Sequence, residues 1–343
     1  MTAVAAPTKA LADATTMMKA IVHRHYGPPD VLSYEEVARP APGDDEVLVR
    51  VHAAAASVGD LHVVTGKPYL VRLSPFGGLP GPRNRVPGAA MSGRVESVGA
   101  KVTSLRPGDA VFGQAANGAF AEYLVMPANL LAPKPGNLSF EEAAAVPWGA
   151  TALQGFRAAG GLKPGQRVLI NGASGGVGTW AVQIAKAQGA AVTAVCSTRN
   201  VERMRGLGAD EVVDYTKQDF VQGGARFDVM LDLVGNRPLS QCRSVLTPGG
   251  TLVPCGGDGP SDWYGPIFRL LGGMLVSLFT RQKFKAFVMA PNRDDLMVLK
   301  ELVEAGKAKP FIERTFALSE AGQALRHIAE GHAQGQSVIR IAG

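Results

Sequence analysis

A glycine-rich turn between two apolar segments constrains the fold of this chain more than any other feature of its sequence. Residues 171–178 read NGASGGVG; the apolar run VLI precedes them, and the helix-like segment TWAVQIAK follows. A strand must turn abruptly into a helix here, and small residues let a phosphate approach the N–H groups at the helix N-terminus. The spacing matches a dinucleotide-binding fingerprint with Ala173 at the position of its first glycine. It predicts a dinucleotide site formed by Ala173, Ser174, Gly175, Gly176, Val177 and Gly178.

Strand-like and helix-like patterns alternate around this turn. The patterns predict strands over residues 167–171, 191–196, 228–233 and 250–254, and helices over residues 178–188 and 201–207. Ser139 and Glu142 have the spacing of a capping box and indicate where an earlier helix begins. Such alternation is typical of parallel strands joined by crossover helices, so we expect an α/β fold with a doubly wound parallel sheet.

The two ends of the chain differ from this middle part. Short alternating runs at residues 19–25, 46–53, 93–98 and 119–125 predict a small β-rich domain. After Asn292 come an amphipathic helix with Leu296, Leu299, Leu302 and Val303 on one face, a strand over 312–316, a helix from Ser319 and a strand over 337–341. These pieces are too few for a third domain, and we expect them to return to the first. The predicted units are a flexible N-terminal extension (1–17), the first domain (18–145), the dinucleotide-binding domain (146–291) and the C-terminal return (292–343).

Composition excludes several classes of protein. The chain has 343 residues, 46% of them hydrophobic and 19% charged, as in globular proteins. Its three cysteines, Cys196, Cys242 and Cys255, are too few and too far apart for a disulfide framework or a four-thiolate zinc site, which favours a cytoplasmic location. No apolar run approaches the roughly 20 residues of a membrane span, and no signal-peptide pattern is present. The formal charge of +6 is scattered, so it favours a small anionic ligand over nucleic acid.

The end of the second predicted strand indicates which dinucleotide binds. NAD sites usually place an acid about 20 residues beyond the glycines, where it binds the ribose 2′-hydroxyl. This chain instead has Ser197, Thr198 and Arg199, whose two hydroxyls and guanidinium can hold a 2′-phosphate, and no carboxylate stands among them. We therefore expect NADPH as the cofactor. Alternatively, Arg199 only begins the next helix as a solvated residue.

Several further motifs together resemble a known family. They are MKAIV at 18–22, VESVG at 95–99, PGDAVFG at 107–113, GAFAEY at 118–123, NGASGGVG at 171–178 and LGAD at 207–210. From about residue 18 to residue 341, the chain resembles the zinc-independent, zeta-crystallin-like quinone oxidoreductases of the medium-chain dehydrogenase/reductase family. The resemblance implies a GroES-like catalytic domain, a Rossmann domain and an active site in the cleft between them. It also implies positions near the cofactor for Thr151, Tyr215, Val234, Cys255 and Gly256. A partly buried surface aromatic is the alternative for Tyr215.

The chain departs from its zinc-binding relatives at their metal ligands. Ser57 stands where those proteins have a cysteine, and Ala89 and Ala90 stand where they have a histidine and a glutamate. These side chains cannot form a tetrahedral zinc site, so we expect no metal. His52 and His62 are expected to be hydrogen-bonded loop residues. Zinc-free relatives usually carry Asn-Pro at positions 57–58 and an acid at position 90, so their contacts to substrate and ribose are open to question here.

A reaction without a metal favours acceptors that delocalise negative charge. We expect hydride transfer from NADPH to a quinone or to the β-carbon of an enone, followed by protonation. The candidate catalytic residues are Tyr69, Ser57 and Asp60. Tyr69 is displaced by one position from a tyrosine of some enoyl reductases and can equally be a packing residue. Asp60 is expected to be exposed and therefore ionised at neutral pH, so we expect it to orient other groups rather than to act as the proton donor.

Two questions stay open from the sequence. The aromatic segment 263–287 predicts either a pocket for a small hydrophobic substrate or the interface of a homodimer. The changes at Ser57, Val58 and Ala90 also allow a reductase specific for one biosynthetic intermediate. A non-enzymatic NADPH-binding protein is a third reading.

Overall fold

The computed structural model describes residues 16–74, 77–256, 271–273, 275, 277, 279–331 and 334–341. Its strands are β1 Met17–Val22, β2 Ser33–Ala38, β3 Glu46–Ala56, β4 Ala90–Val98, β5 Ala110–Gln114, β6 Tyr123–Pro127, β7 Leu131–Pro133, β8 Arg167–Asn171, β9 Ala191–Cys196, β10 Glu211–Asp214, β11 Phe227–Asp232, β12 Leu246–Pro254, β13 Lys283–Phe284, β14 Ile312–Ala317 and β15 Gln336–Arg340. Its α-helices, numbered here in chain order, are α1 Val58–Thr65, α2 Phe140–Ala145, α3 Gly149–Ala158, α4 Gly176–Ala187, α5 Val201–Gly206, α6 Leu239–Ser244, α7 Arg293–Glu304 and α8 Ala321–Ala329. Apart from its last two positions, the predicted N-terminal extension lies outside the described residues.

A six-stranded parallel sheet forms in the order β10-β9-β8-β11-β12-β13. The chain starts at β8 in the middle, moves outward to β10 and then returns to the other side of β8. This is the doubly wound arrangement that the sequence predicts, and β8 and β9 have their predicted bounds. Because the strand order reverses between β8 and β11, a crevice opens at the carboxyl ends of these two strands.

A second, seven-stranded sheet has the order β14-β15-β3-β4-β5-β7, with β6 also paired to β3. Strand β3 is the centre of this sheet because it pairs with β4, β6 and β15. Its residues Val47, Val49 and Val51 are fully buried in one apolar cluster, at the period of two that a strand requires. The predicted β-rich domain is thus confirmed.

Helix α4 covers one face of the parallel sheet with the fully buried side chains of Trp180, Ala181 and Ile184. It begins at Gly176, two residues before its predicted start. The predicted capping box of α2 is present: the backbone N–H of Glu142 donates to Ser139 Oγ at 3.1 Å, and the N–H of Ser139 donates to Glu142 Oε2 at 2.8 Å. Among the described helices, none is long and apolar enough to cross a membrane.

The C-terminal part divides between the two sheets. Helix α7 buries Leu296, Leu299 and Val303 in the same apolar cluster as Trp180, so it packs on the side of the parallel sheet. The later pieces lie against the first domain: β15 pairs with β14 and with β3, and α8 packs its buried face in the core of that domain.

The aromatic segment 263–287 is described only from residue 271, with gaps, so Trp263, Tyr264 and Phe268 lie outside the described residues. Its last part forms β13, which pairs with β12 at one end of the parallel sheet. Phe284 is buried there, whereas Phe279 is 80% exposed. A substrate pocket and a dimer interface both stay predictions for this segment.

One hydrogen bond joins the two domains at the start of α3. The indole Nε1 of Trp148 donates to the carbonyl oxygen of Ala55 at 3.2 Å, and both side chains are buried in one cluster with Val338. Because Ser57 follows Ala55 by two residues and Thr151 follows Trp148 by three, this contact brings the start of α1 and the start of α3 to the same boundary between the domains.

Candidate active site

The glycine-rich turn starts at a residue with left-handed backbone geometry. Gly172 has φ of +85°, a region that other residues rarely adopt. A Cβ at Gly172 would come within 2.6 Å of Cγ2 of Val234, so Val234 lies directly over the turn. Ala173 is fully buried and its N–H donates to the carbonyl of Val195 at 3.0 Å. The sequence-based site omitted Gly172, although its geometry makes it the residue that needs to be glycine at the start of the turn.

The end of the turn leaves the N-terminus of α4 open. A Cβ at Gly178 would overlap the backbone of Gly172 and Ala173, so glycine is required for the helix to pack this closely on the turn. Gly175 is the N-cap residue, and it has no side chain to accept the first N–H groups of the helix. These N–H groups and the positive end of the helix dipole form a cradle for an anion, which fits a dinucleotide diphosphate.

Polar contacts hold the ends of the two central strands beside this cradle. The Nδ2 of Asn171 donates to Oδ1 of Asp232 at 2.9 Å, and the N–H of Cys255 donates to the carbonyl of Asp232 at 2.8 Å. A Cβ at Gly256 would overlap the carbonyl of Leu233. Burial raises the pKa of the Cys255 thiol, which therefore stays protonated. Cys255 and Gly256 thus lie at the crevice as residues that shape it.

The turn after β9 contains the three residues predicted to hold a 2′-phosphate. Thr198 Oγ1 donates to Asp214 Oδ2 at 2.6 Å, because β10 pairs Asp214 with Cys196 at the end of β9. Hydrogen bonds from Thr198 and Thr216 are the main causes that lower the pKa of Asp214 to about 2, so this carboxylate is ionised. The expectation that no carboxylate lies among these hydroxyls is therefore wrong, because the acid comes from the neighbouring strand.

The other residues of this turn differ in exposure. Ser197 Oγ accepts a hydrogen bond from Nδ2 of Asn200 at 3.1 Å, whereas Arg199 is exposed in a 3₁₀ turn. Tyr215 donates its N–H to the carbonyl of Cys196 at 3.0 Å, and 60% of the residue is exposed. Its ring is thus a surface aromatic next to the turn, and it is more exposed than the partly buried alternative assumed. The structure brings Ser197, Thr198, Arg199 and Tyr215 together at the ends of β9 and β10.

Ser57 and Asp60 form a capping box at the start of α1. Ser57 donates from both its N–H and its Oγ to Asp60 Oδ2, each at 2.8 Å, and the N–H of Asp60 donates to Ser57 Oγ at 3.3 Å. Asp60 is only 3% exposed. Burial raises its pKa to about 6, against the opposing effect of hydrogen bonds from Ser57 and from the backbone of Ala89. The expectation of an exposed aspartate is therefore wrong, because the helix N-terminus packs its capping carboxylate inward.

Tyr69, the third catalytic candidate, lies outside this pair. It begins a 3₁₀ turn, Tyr69–Leu73, after α1. The guanidinium of Arg72 lies 4.6 Å from the centre of its ring and 4.6 Å from that of Tyr26. A cation stacked on two rings holds this turn in place, which agrees with the packing alternative for Tyr69.

The two histidines near the positions of the relatives' zinc ligands lie in a strand and in a helix, so their assignment to loops is wrong. His52 belongs to β3, where its ring stacks on that of Phe140 with centroids 4.1 Å apart. His62 belongs to α1, and its Nδ1 lies 2.6 Å from the carbonyl oxygen of Lys67. Within the part of the chain that the structure describes, no three His, Cys, Asp or Glu side chains converge as a metal site would require.

Gln336 lies against the glycine-rich turn, and the sequence did not indicate it. Its side-chain Nε2 lies 2.6 Å from the position that a Cβ on Gly176 would take, so the carboxamide covers the first residue of α4. Only 3% of Gln336 is exposed. It comes from β15, 160 residues after Gly176, and no local pattern links the two positions.

Family models match two parts of the chain. The model described as an alcohol dehydrogenase GroES-like domain matches residues 43–136, and the model described as a zinc-binding dehydrogenase matches residues 207–339. These matches cover parts of the β-rich domain, of the parallel sheet and of the C-terminal return.

Curated proteins and a solved structure match nearly the whole chain. The chain is 34% identical to a 2-methylene-furan-3-one reductase from Solanum lycopersicum, over 98% of this chain and 82% of the relative. It is 33% identical to a mitochondrial NAD(P)H oxidoreductase from Danio rerio, over 95% of this chain and 92% of that protein. The structure of a quinone oxidoreductase from Coxiella burnetii superposes with a TM-score of 0.83 at 30% identity, over 95% of this chain and 99% of that one.

Proposed function

The chain belongs to the medium-chain dehydrogenase/reductase family, and on that premise we propose that it is a zinc-independent, NADPH-dependent reductase of quinones or enones. The uncapped N-terminus of α4, closed on one side by the glycine turn, is the observation that carries the proposal. The names of the relatives point in the same direction, because they describe an NAD(P)H oxidoreductase, a quinone oxidoreductase and the reductase of a conjugated methylene ketone.

The proposed cofactor site follows the carboxyl edge of the parallel sheet. The diphosphate would lie on the N–H groups of residues 175–178, with Val234 over the turn and with Thr151 on the side of the nicotinamide. The 2′-phosphate would meet Ser197, Thr198 and Arg199, beside the exposed ring of Tyr215. The remaining lining residues of the proposed site are Ala173, Cys255 and Gly256.

The residues at the positions of the relatives' zinc ligands favour hydride acceptors whose reduction needs no Lewis acid. Ser57, Ala89 and Ala90 offer no thiolate, imidazole or carboxylate to a zinc ion. A bound reduced nicotinamide supplies a hydride. In a quinone or an enone the charge left by hydride addition spreads over the conjugated system, so a hydrogen-bond donor is enough to stabilise it.

We take Ser57 as the proton donor of this proposal: its hydroxyl would turn from Asp60 to the reduced substrate, give up its proton and take another from solvent. Ser57 follows Ala55, which accepts the hydrogen bond from Trp148 across the domain boundary, by two residues, and its hydroxyl donates to Asp60 Oδ2 at 2.8 Å. Asp60 acts as the orienting residue, because its carboxylate accepts from both the N–H and the hydroxyl of Ser57. The hydride and one proton together complete a two-electron reduction, which converts an enone to the saturated ketone or a quinone to the hydroquinone.

The oxidation of NADPH, followed at 340 nm, tests the proposal with a panel of quinones, enones and simple aldehydes. We expect turnover with members of the first two classes. Turnover of aldehydes alone would contradict the proposal. Tight binding of NADPH without turnover of any acceptor would favour the non-enzymatic alternative. Turnover of only one enone of the panel would favour the reductase specific for one biosynthetic intermediate.

A further inference from the structure

The carboxamide of Gln336 stands at the open end of α4 without a partner. It covers Gly176, and the whole residue is 97% buried, given its 3% exposure. Buried polar side chains are nearly always hydrogen-bonded. In the described parts of the chain, however, the side chain of Gln336 makes no hydrogen bond, and its polar atoms keep a small contact with solvent, because they are not among the fully buried atoms that lack a partner. Two N–H donors are therefore held beside a helix N-terminus that already favours anions.

A residue of the parallel-sheet domain binds the segment that carries Gln336. Arg203 of α5 donates from Nη1 to the carbonyl of Gln334 and from Nη2 to Gln334 Oε1, the second bond being 2.8 Å long. Its guanidinium also lies 4.1 Å from the centre of the Phe311 ring. Arg203 thus ties the segment before β15 to the helix that follows the Ser197–Arg199 turn.

Hydrogen bonds to residues at the start of β14 also fix this segment. The N–H of Gln336 donates to the carbonyl of Phe311 at 2.8 Å, and the N–H of Gln334 donates to Glu313 Oε2 at 2.6 Å. A Cβ at Gly335 would overlap the Phe311 ring, so glycine lets the segment approach it. With both neighbours of Gly335 tied down, the side chain of Gln336 has a defined direction toward α4.

We propose that Gln336 binds the diphosphate bridge of the cofactor from the catalytic domain, and that Arg203 is the positioning residue that holds it there. This inference rests on the proposed function, because it presumes a dinucleotide on α4. The chemical reason is that the carboxamide N–H adds a charge-assisted hydrogen bond to a phosphate already held by backbone N–H groups. Gln336 would therefore act on the diphosphate, and not on the 2′-phosphate.

Two fragments of the cofactor separate these roles in isothermal titration calorimetry of the full chain. ADP-ribose contains the diphosphate but no 2′-phosphate, whereas 2′-AMP contains a 2′-phosphate but no diphosphate. We expect Gln336→Leu to weaken ADP-ribose binding by about tenfold and to leave 2′-AMP binding unchanged. Gln336→Glu should weaken ADP-ribose further, because a carboxylate repels the diphosphate. The matched control is Gln323→Glu, the same change at an exposed position of α8, which should alter neither affinity.

A double-variant comparison tests the role of Arg203. If Arg203 acts by holding Gln336, Arg203→Met should weaken ADP-ribose binding, and the variant with both changes should bind no more weakly than Gln336→Leu alone. Additive losses would show that Arg203 acts separately, and would overturn its positioning role. Gln336→Asn keeps the carboxamide but shortens it by one methylene; a loss of ADP-ribose binding in this variant supports the proposal even if Gln336→Leu does not fold.

The failures of the two proposals are distinguishable. If wild-type protein binds ADP-ribose and the Leu, Glu and Asn variants at position 336 bind it equally well, the role of Gln336 is wrong and the proposed cofactor site stands. If wild-type protein binds neither ADP-ribose nor NADPH, the proposed function fails and the inference fails with it. Equal losses for ADP-ribose and 2′-AMP would contradict the assignment of Gln336 to the diphosphate.

Discussion

Thr198 and Asp214 join the ends of two neighbouring parallel strands through a hydrogen bond of 2.6 Å from Oγ1 to Oδ2. Asp214 also accepts from the N–H and Oγ1 of Thr216, and Lys217 Nζ lies 3.5 Å from its Oδ2. An ionised carboxylate therefore lies inside the cluster that we propose for the 2′-phosphate. It orders Thr198 but also repels a second anion, and we expect the repulsion to dominate its effect on cofactor choice.

We expect Asp214→Asn to raise the preference for NADPH over NADH by about 3- to 10-fold, because a negative charge near the 2′-phosphate is removed. The dissociation constants of both cofactors, measured by fluorescence titration, check this. Asp210→Asn is the matched control: Asp210 pairs with Lys186 just before β10 begins, at the opposite end of that strand. An unchanged ratio of the two constants in Asp214→Asn would place the 2′-phosphate elsewhere.

Replacing Arg199 with alanine should weaken NADPH by about 1 to 3 kcal/mol and leave NADH nearly unchanged, since one charged contact to the 2′-phosphate is lost. The same titrations measure both affinities. Arg205→Ala removes another exposed guanidinium, from α5, and should change neither. Equal losses of NADPH and NADH would favour the alternative in which Arg199 is only a solvated residue.

The buried Asp60 predicts a pH dependence of stability. Its pKa is raised from 3.8 to about 6, so the carboxyl protonates more readily in the fold than in the unfolded chain. Its stabilising contribution is therefore complete below about pH 4 and is lost as the pH rises through about 6. We expect the free energy of unfolding of Asp60→Asn, relative to wild type, to rise by about 2 kcal/mol between pH 4 and pH 8. Urea unfolding at several pH values measures it; a difference that is constant with pH would contradict the burial of this charge.

The proton donor can be identified by comparing two conservative variants. Ser57→Ala should lower kcat by about 100-fold with little change in NADPH affinity, because the hydroxyl acts after the cofactor is bound. Tyr69→Phe should keep kcat near the wild-type value, since Arg72 already stacks on its ring. Steady-state kinetics with a quinone or an enone checks both. The reverse pattern would assign the proton to Tyr69.

Prolonged dialysis against a chelator should leave the reductase activity unchanged, because the residues at positions 57, 89 and 90 cannot ligate zinc. The rate of NADPH oxidation before and after dialysis, with metal content measured in parallel, checks this. Activity that is lost with the metal and restored by zinc would overturn the metal-free reaction.

Local patterns account well for the parallel sheet. The bounds of β8 and β9 follow from the sequence because buried parallel strands read as short apolar runs, and the glycine turn between β8 and α4 has a spacing set by the phosphate it must accommodate. The capping box at Ser139 is likewise local, since its two hydrogen bonds span only three residues. The assignment to loops failed for His52 and His62. The predicted strand over residues 46–53 already included His52, and His62 lies in α1, a helix that the sequence analysis did not predict.

By itself, the sequence determined the doubly wound sheet, the β-rich partner domain and the glycine-rich turn, since each depends on residues that are close along the chain. Only the tertiary structure decided which distant groups meet at that turn. Strand pairing brings Asp214 to Thr198, the return of β15 brings Gln336 to Gly176, and the inward packing of α1 buries Asp60. These contacts join residues on separate elements, and their charge and burial depend on packing that no local pattern encodes.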